Sequence, residues 1–411
     1  MRVLFVSNFY PPYELGGWEQ NCREIVERFR QRGHICAVLT SRHGGSRHSP
    51  DEAGVSRALH LEADIAYYRP LSFLLHRARQ ERTNRHEVRA AIGAFRPDLV
   101  FIWGMWNLSR QVAFWAEQAM PGRVAYAIAG YWPMEPNAHE EYWQLPANHR
   151  LAEALKAPLR RIALHALRRE RMRHPLAMEH AACVSSYVRQ KLAEAGTLPH
   201  GARVIYNGID PQPFLEAAAR RTERHDGLRL VYVGNVAFNK GTHTAIEALG
   251  LLRQQRKLEG LSLTLIGGGH PDYVAQLRQR VHELELDGCV SFRGRLPRSE
   301  IAGILAEHDV FLFTSVYEEP IARSVMEAMA SGLAVIGTAV GGQAEMLEDG
   351  VNALVYAADD ASALAYTIGR LRGDASLRAQ LSEAGQRTVI ERFTLDRMAE
   401  EMETFLLAAL V

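Results

Sequence analysis

The sequence predicts an α/β protein built from two doubly wound parallel sheets, and three observations carry that prediction. Short apolar runs alternate with longer stretches of helical period, the strand and helix rhythm of a parallel sheet. The runs fall into two separate sets. The chain has 411 residues, more than the roughly 250 to 300 that one hydrophobic core usually holds.

The first set lies at residues 2–7, 35–40, 98–103, 124–128, 181–185 and 203–206. The second lies at 228–234, 261–267, 289–293, 309–314, 333–338 and 353–356. Between them the polar segment 215–227, LEAAARRTERHDG, reads as linker. No repeat or low-complexity tract competes with this division.

Composition narrows the function. A hydrophobic content of 47%, a charged content of 23% and a net charge of +1 leave no bulk charge for non-specific nucleic-acid binding. Cys22, Cys36, Cys183 and Cys289 are far apart, without Cys-x-x-Cys or Cys/His spacing, so neither a disulfide framework nor a structural zinc site is expected. RVLFVS at 2–7 enters a strand with no basic leader before it, and no apolar run approaches the ~20 residues of a membrane span. The expected compartment is the cytoplasm.

The halves differ in composition. Trp18, Trp103, Trp106, Trp115, Trp132 and Trp143 all precede residue 150. Core packing accounts for Trp103 and Trp115. Trp132 and Trp143 lie in the Pro-rich stretch YWPMEPNAHEEYW, where an aromatic face can stack on a sugar ring or a lipid-linked acceptor. The basic stretch 150–173 reads either as a solvated helix face or as a peripheral contact with an anionic membrane surface.

Three loops after strands carry candidate chemistry. EEPIARSVMEAMASG, 318–332, follows DVFLFT and places Glu319 before a helix over 322–331 and Glu327 within it, with Gly332 at the helix end. A strand, a loop and a helix N-terminus present free N–H groups to an anion, and two flanking carboxylates suit hydroxyls carried beside that anion. In VYVGNVAFNKG, Gly234 ends a strand and Lys240 follows, a point charge suited to phosphate. Gly16 and Gly17 precede a helix starting near Trp18, where glycine permits close backbone approach to a ligand. The run Gly267, Gly268, Gly269 lacks the spacing of a dinucleotide fingerprint, and no Walker A sequence or Asp-x-Asp pair occurs, so neither a cofactor nor a metal is expected.

These segments resemble the retaining glycosyltransferases of the GT-B fold in family 4, the glycosyl transferases group 1. The resemblance runs through VIYNGID (204–210), VYVGNVAFNKG (231–241), LTLIGGG (263–269), VSFRGRLP (290–297), HDVFLFTSVYEEP (308–320), the Glu319 and Glu327 pair with EAMASGLAVI, and VGGQAEMLEDGVNALV (340–355). FYPPYELGG at 9–17 resembles the N-terminal glycine loop of that family.

The resemblance implies two Rossmann-like domains facing a cleft: 1–207 on the acceptor side, 208–389 holding the donor, and 390–411 crossing back to the first. It implies metal-independent transfer, with retention, from a UDP- or GDP-type sugar donor to a saccharide or lipid-linked acceptor. Glu319 and Lys240 would be catalytic, with Glu319 on the sugar hydroxyls. Glu327 would take the ribose. Lys240 and the N–H groups near Ala322 and Arg323 would hold the diphosphate, with Gly234 and Asn235 beside it, Arg295 and Leu296 bordering the base, and Gly16 and Gly17 opposite.

Four positions depart from the pattern. Asn235 stands where many relatives have Arg, which Arg323 would have to replace, and Ala322 stands where glycine is usual. Ala129 and Gly130 in YAIAGYWP take the places of His-Asp, so His139 is the candidate stand-in, or else a surface residue. A sugar-nucleotide epimerase of the same architecture and a nucleotide-sugar-binding protein without transfer remain the rival readings.

Overall fold

Each apolar run coincides with a strand of a parallel sheet. The computed structural model describes residues 1–44, 54–65, 67–147, 149–198, 201–220 and 227–410. The chain divides into one unit of Met1–Val184, Val188–Ile205 and Ala399–Val411 and a second of Ser185–Tyr187 and Tyr206–Met398.

The first unit holds β1 (Arg2–Ser7), β2 (Ile35–Ser41), β3 (Val55–Leu59), β4 (Leu99–Ile102), β5 (Val124–Ile128), β6 (His180–Cys183) and β7 (Arg203–Val204). Their order is β3-β2-β1-β4-β5-β6-β7. Helices such as Gly17–Gln31 and Arg77–Phe95 connect them. Phe5 on β1 packs its ring against Phe29 at 5.9 Å and Phe101 at 5.5 Å, so two helix-and-strand connections share one core.

The second unit holds β8 (Leu228–Val233), β9 (Leu261–Ile266), β10 (Val290–Gly294), β11 (Val310–Phe313), β12 (Ala334–Gly337) and β13 (Leu354–Val355), in the order β10-β9-β8-β11-β12-β13. Both faces of such a sheet are covered, which is why β11 and β12 read as unbroken apolar runs and are buried at every residue. Leu230, Leu263, Ile246, Leu249, Leu312 and Ile336 meet in its core.

Two expectations change. Strand β3 is absent from the sequence reading because VSRAL carries Ser56 and Arg57 among only three aliphatic residues. The expected linker 215–227 begins inside the helix Gln212–Ala219, whose Phe214 is buried, and residues 221–226 lie outside the described residues. The polar composition that suggested a linker there belongs partly to a solvated helix face.

Candidate functional site

In a doubly wound sheet the crevice for ligands opens where strand order reverses, beyond the carboxyl ends of the two strands that flank the reversal. In the second unit those strands are β8 and β11, paired through Val310 with Leu230 and Phe311 with Val231. The loop after β8 carries Gly234, Asn235 and Lys240. The loop after β11 carries Glu319.

The two loops are tied together by their backbones. The N–H groups of Val316 and Tyr317 both donate to the Asn239 carbonyl at 3.1 Å, and Thr314 Oγ1 donates to the Lys240 carbonyl at 2.8 Å. This contact requires Gly241: its φ is +64°, and a Cβ there would lie 1.9 Å from the Thr314 carbonyl oxygen. Lys240 Nζ donates to Glu319 Oε1, and Ser315 Oγ donates to the same oxygen at 2.9 Å. Ammonium and carboxylate therefore neutralise each other at the crevice.

The helix that follows is Arg323–Ala330, one residue shorter at each end than expected, with Gly332 at φ +73° just beyond it. Glu327 is only 2% exposed. Burial alone would push its carboxyl up, but the guanidinium groups of Arg298 and Arg323 outweigh that and hold it below the usual carboxylate range. Arg323 Nε donates to Glu327 Oε1 at 2.9 Å, and Arg298 Nη2 donates to the same oxygen. The Ala322 N–H donates to Gln343 Oε1 at 2.9 Å.

Gln343 belongs to the short 3-10 helix Gly341–Glu345, which supports the Glu319 loop from below. The Gly342 N–H donates to the Glu319 carbonyl at 2.7 Å, and a Cβ on Gly342 would lie 1.8 Å from the Pro320 carbonyl oxygen. Ser315, Arg298 and Gln343 are the site residues that sequence reasoning missed. VGGQAE, with its adjacent glycines, was the signal for Gln343.

The remaining donor-side candidates lie in the loops after β8 and β10. Asn235 is exposed, and its carbonyl accepts from Tyr232 Oη at 2.7 Å. Arg295, exposed, and Leu296, half-buried, follow β10. Arg295 lies beside Gly268, where a Cβ would be 3.9 Å from its Nε.

In the first unit β1 and β4 flank the reversal. The loop after β1 ends at Gly16, whose N–H donates to Glu19 Oε2 at 2.9 Å, and the helix starts at Gly17, one residue before Trp18. Trp18 stacks on Trp103 at 4.4 Å. Arg57, buried on β3, holds this loop by donating to the carbonyls of Tyr10 at 3.1 Å and Pro11 at 2.8 Å.

The proposed acceptor residues part company. Asn137 and Glu140 form a capping box, with Glu140 N–H donating to Asn137 Oδ1 at 2.8 Å, and start the helix Ala138–Gln144. His139 and Trp143, four residues apart on that helix, both turn inward. Trp143 is 1% exposed and packs on Phe73 at 5.7 Å, so it offers no open face for a sugar, which corrects the expectation. His139 is buried rather than a surface residue, its Nδ1 2.9 Å from Tyr68 Oη, and burial, with Arg77 adding to it, pushes its pKa down to about 3. Trp132 remains half-exposed, with the Arg110 guanidinium 5.6 Å from its ring.

Sequence profiles divide the chain at the same place as the strand sets. Residues 15–213 match Glycosyltransferase Family 4, and residues 215–388 match Glycosyl transferases group 1. The first half is thus a Family 4 glycosyltransferase domain and the second a group 1 glycosyltransferase domain. Among its relatives, the amylovoran biosynthesis glycosyltransferase AmsK of Erwinia amylovora is 34% identical over 200 residues, 47% of this chain and 48% of AmsK. The lipopolysaccharide core biosynthesis glycosyltransferase LpsE of Rhizobium meliloti is 31% identical over 170 residues, 41% of this chain and 46% of LpsE. The chain thus spans about half the length of the curated relatives it matches. HepE of Anabaena, solved in complex with UDP-glucose, superposes with a TM-score of 0.69 at 20% identity over 99% of this chain and 100% of HepE. That likeness places this glycosyltransferase in the GT-B fold. Among its described residues no group of three or more His, Cys, Asp or Glu could hold a metal ion, and no helix is long and apolar enough to cross a membrane.

Proposed function

We propose that this chain transfers a sugar from a nucleoside diphosphate sugar to an acceptor hydroxyl, with retention at the anomeric carbon and without a metal ion. The observation that carries this reading is the convergence of Lys240, Glu319 and the start of helix Arg323–Ala330 at the β8/β11 switch point, with Glu327 one turn in. Residues 208–389 would hold the donor and 1–207 the acceptor. UDP as the nucleotide is supported by HepE, whose complex contains UDP-glucose. A saccharide or lipid-linked acceptor is supported by the names of AmsK and LpsE.

The chemistry follows from charge. Cleavage of the bond between the anomeric carbon and the phosphate oxygen leaves an oxocarbenium-like sugar and a diphosphate, so fixed positive charge at the leaving group gives the largest help. The diphosphate would draw the Lys240 ammonium away from Glu319, and the released carboxylate would accept hydrogen bonds from the sugar hydroxyls. First-turn N–H groups of the helix, which have no partner within it, would share the load, although that of Ala322 is held by Gln343. Glu327, already ionised between two guanidinium groups, would accept from the ribose. The acceptor oxygen forms the new bond on the leaving-group face, and its proton passes to the departing phosphate oxygen.

The test is incubation with UDP-, GDP-, ADP- and dTDP-sugars and a saccharide panel, with and without EDTA, followed by NMR of the products. A new glycoside with the anomeric configuration of the donor, formed in EDTA, supports the proposal. An epimerised donor, or binding without turnover, would identify one of the two rival activities instead.

A further inference from the structure

The helix Arg150–Arg173 buries one side through Lys156, Ala163 and Leu167 and leaves the other uncovered. Lys156 Nζ, donating to the carbonyls of Tyr142 at 2.7 Å and Leu145 at 2.9 Å, fixes which side that is. Leu151, Leu155 and Ile162 are 84%, 74% and 68% exposed. Spacings of four, seven, four, three and four residues place Leu151, Leu155, Ile162, Ala166, Arg169 and Arg173 on one helical face. That face is apolar along its first half and basic at its end. The neighbouring helix Pro70–Leu75 adds exposed Leu74 and Leu75. Exposed aliphatic residues in such a row mark a contact with something apolar.

A cavity of about 640 Å³ opens at the basic end, lined by Arg161, His165, Arg169, Arg173, Arg77 and Glu170 among others. Arg77 is paired with Glu170. Among the described residues no carboxylate lies within ion-pair distance of Arg161, Arg169 or Arg173. Glu81, the other acid lining the cavity, has its carboxyl pushed up by burial. The cavity is therefore net cationic.

We infer that this face docks on a bilayer containing anionic phospholipid, with a phosphate headgroup in the Arg161/Arg169/Arg173 cavity and Leu151, Leu155 and Ile162 in the acyl boundary. The order along the helix selects this occupant. A nucleic acid or an acidic peptide needs the arginines but leaves the aliphatic row in water, whereas a lipid is anionic at one end and apolar at the other. The inference is independent of the donor site, since every residue in it belongs to the first unit.

The test is flotation of the full chain with vesicles of phosphatidylcholine alone or mixed equally with phosphatidylglycerol, for wild type, L151S/L155S/I162S and R161Q/R169Q/R173Q. Wild type is expected to float with the mixed vesicles and to bind the neutral ones roughly ten-fold less, with binding weakened by salt. Each triple variant should lose at least ten-fold of that binding while its Tm and its nucleotide-sugar binding stay unchanged, because the substituted side chains are solvent-facing. Absence of wild-type binding overturns the inference. So does full binding by the aliphatic variant, since a site needing only the arginines is an anion site and not a bilayer contact.

Discussion

Lys240 and Glu319 leave neighbouring strands at the switch point and bond to each other, with Ser315 Oγ donating to the same carboxylate oxygen at 2.9 Å. If donor binding exchanges this pair for two new ones, the residues act as one unit. K240M and E319Q should each lower kcat/KM at least roughly ten-fold, and the double variant should fall little below the weaker single one. Steady-state rates for the four proteins decide it. Losses that multiply would show two residues working separately.

Gly342 sets the height of the Glu319 loop. A methyl group there would lie 1.8 Å from the Pro320 carbonyl oxygen. Gly342→Ala should cost about 1–3 kcal/mol of stability, as overpacking does, and lower transfer even well below its Tm because Glu319 moves with the loop. Gly303→Ala is the control: it sits in the helix Arg298–Ala306 with nothing within 4 Å, so it should be neutral or stabilise by up to about 1 kcal/mol. Thermal melts and rates on both variants separate backbone strain from a general effect of alanine.

Glu327 is ionised between Arg298 and Arg323, and its folded pKa lies below the ordinary carboxylate value. Its contribution to stability is then fully present above that ordinary value and disappears as pH falls through the folded pKa. Glu327→Gln should lower Tm at pH 7, where two guanidinium groups lose their counter-charge. The gap from wild type should narrow on acidification. A gap that stays constant down to pH 3 would mean the carboxylate charge contributes nothing.

The loops that carry the candidate donor residues were legible in the sequence because they lie at strand ends, where an apolar run, a loop and a helix are each recognisable. Lys240, Glu319 and Glu327 needed only that rhythm. What was not legible depends on contacts between distant segments. Nothing near Arg57 shows that it reaches the Tyr10 and Pro11 carbonyls, and β3 stays hidden because that buried guanidinium interrupts its apolar pattern. Ser315 and Gln343 are ordinary polar residues until the β8, β11 and β12 loops come together. Trp143 and His139 were readable in principle, since Asn137 with Glu140 three residues on signals a helix start, and four-residue spacing then puts both on one side.

Trp132 and Trp143 should separate an acceptor role from a packing role. Trp143→Ala removes an indole buried against Phe73 and should cost about 3–5 kcal/mol. Trp132→Ala, at a half-buried ring beside Arg110, should cost less stability than Trp143→Ala and raise the acceptor KM with the donor KM unchanged. Unchanged kinetics in Trp132→Ala would remove the last of the aromatic acceptor candidates.

His139 predicts an acid-sensitive fold. Its folded pKa of about 3 lies far below the ordinary 6.5, because burial beside Phe73 and Tyr68, with Arg77 near, disfavours the imidazolium. Above pH 6.5 the ring is neutral in both folded and unfolded chains, so it adds no pH dependence there. Below it the unfolded chain binds a proton that the folded one refuses, and stability falls with pH until the folded pKa is reached. The slope from this residue is at most about 1.4 kcal/mol per pH unit. Urea denaturation at pH 7.5, 6 and 5 should show that loss in wild type, and His139→Gln, which keeps a partner for Tyr68 Oη without the titration, should be flatter across the same range. Equal slopes in the two proteins would place the acid sensitivity elsewhere, among the buried carboxylates.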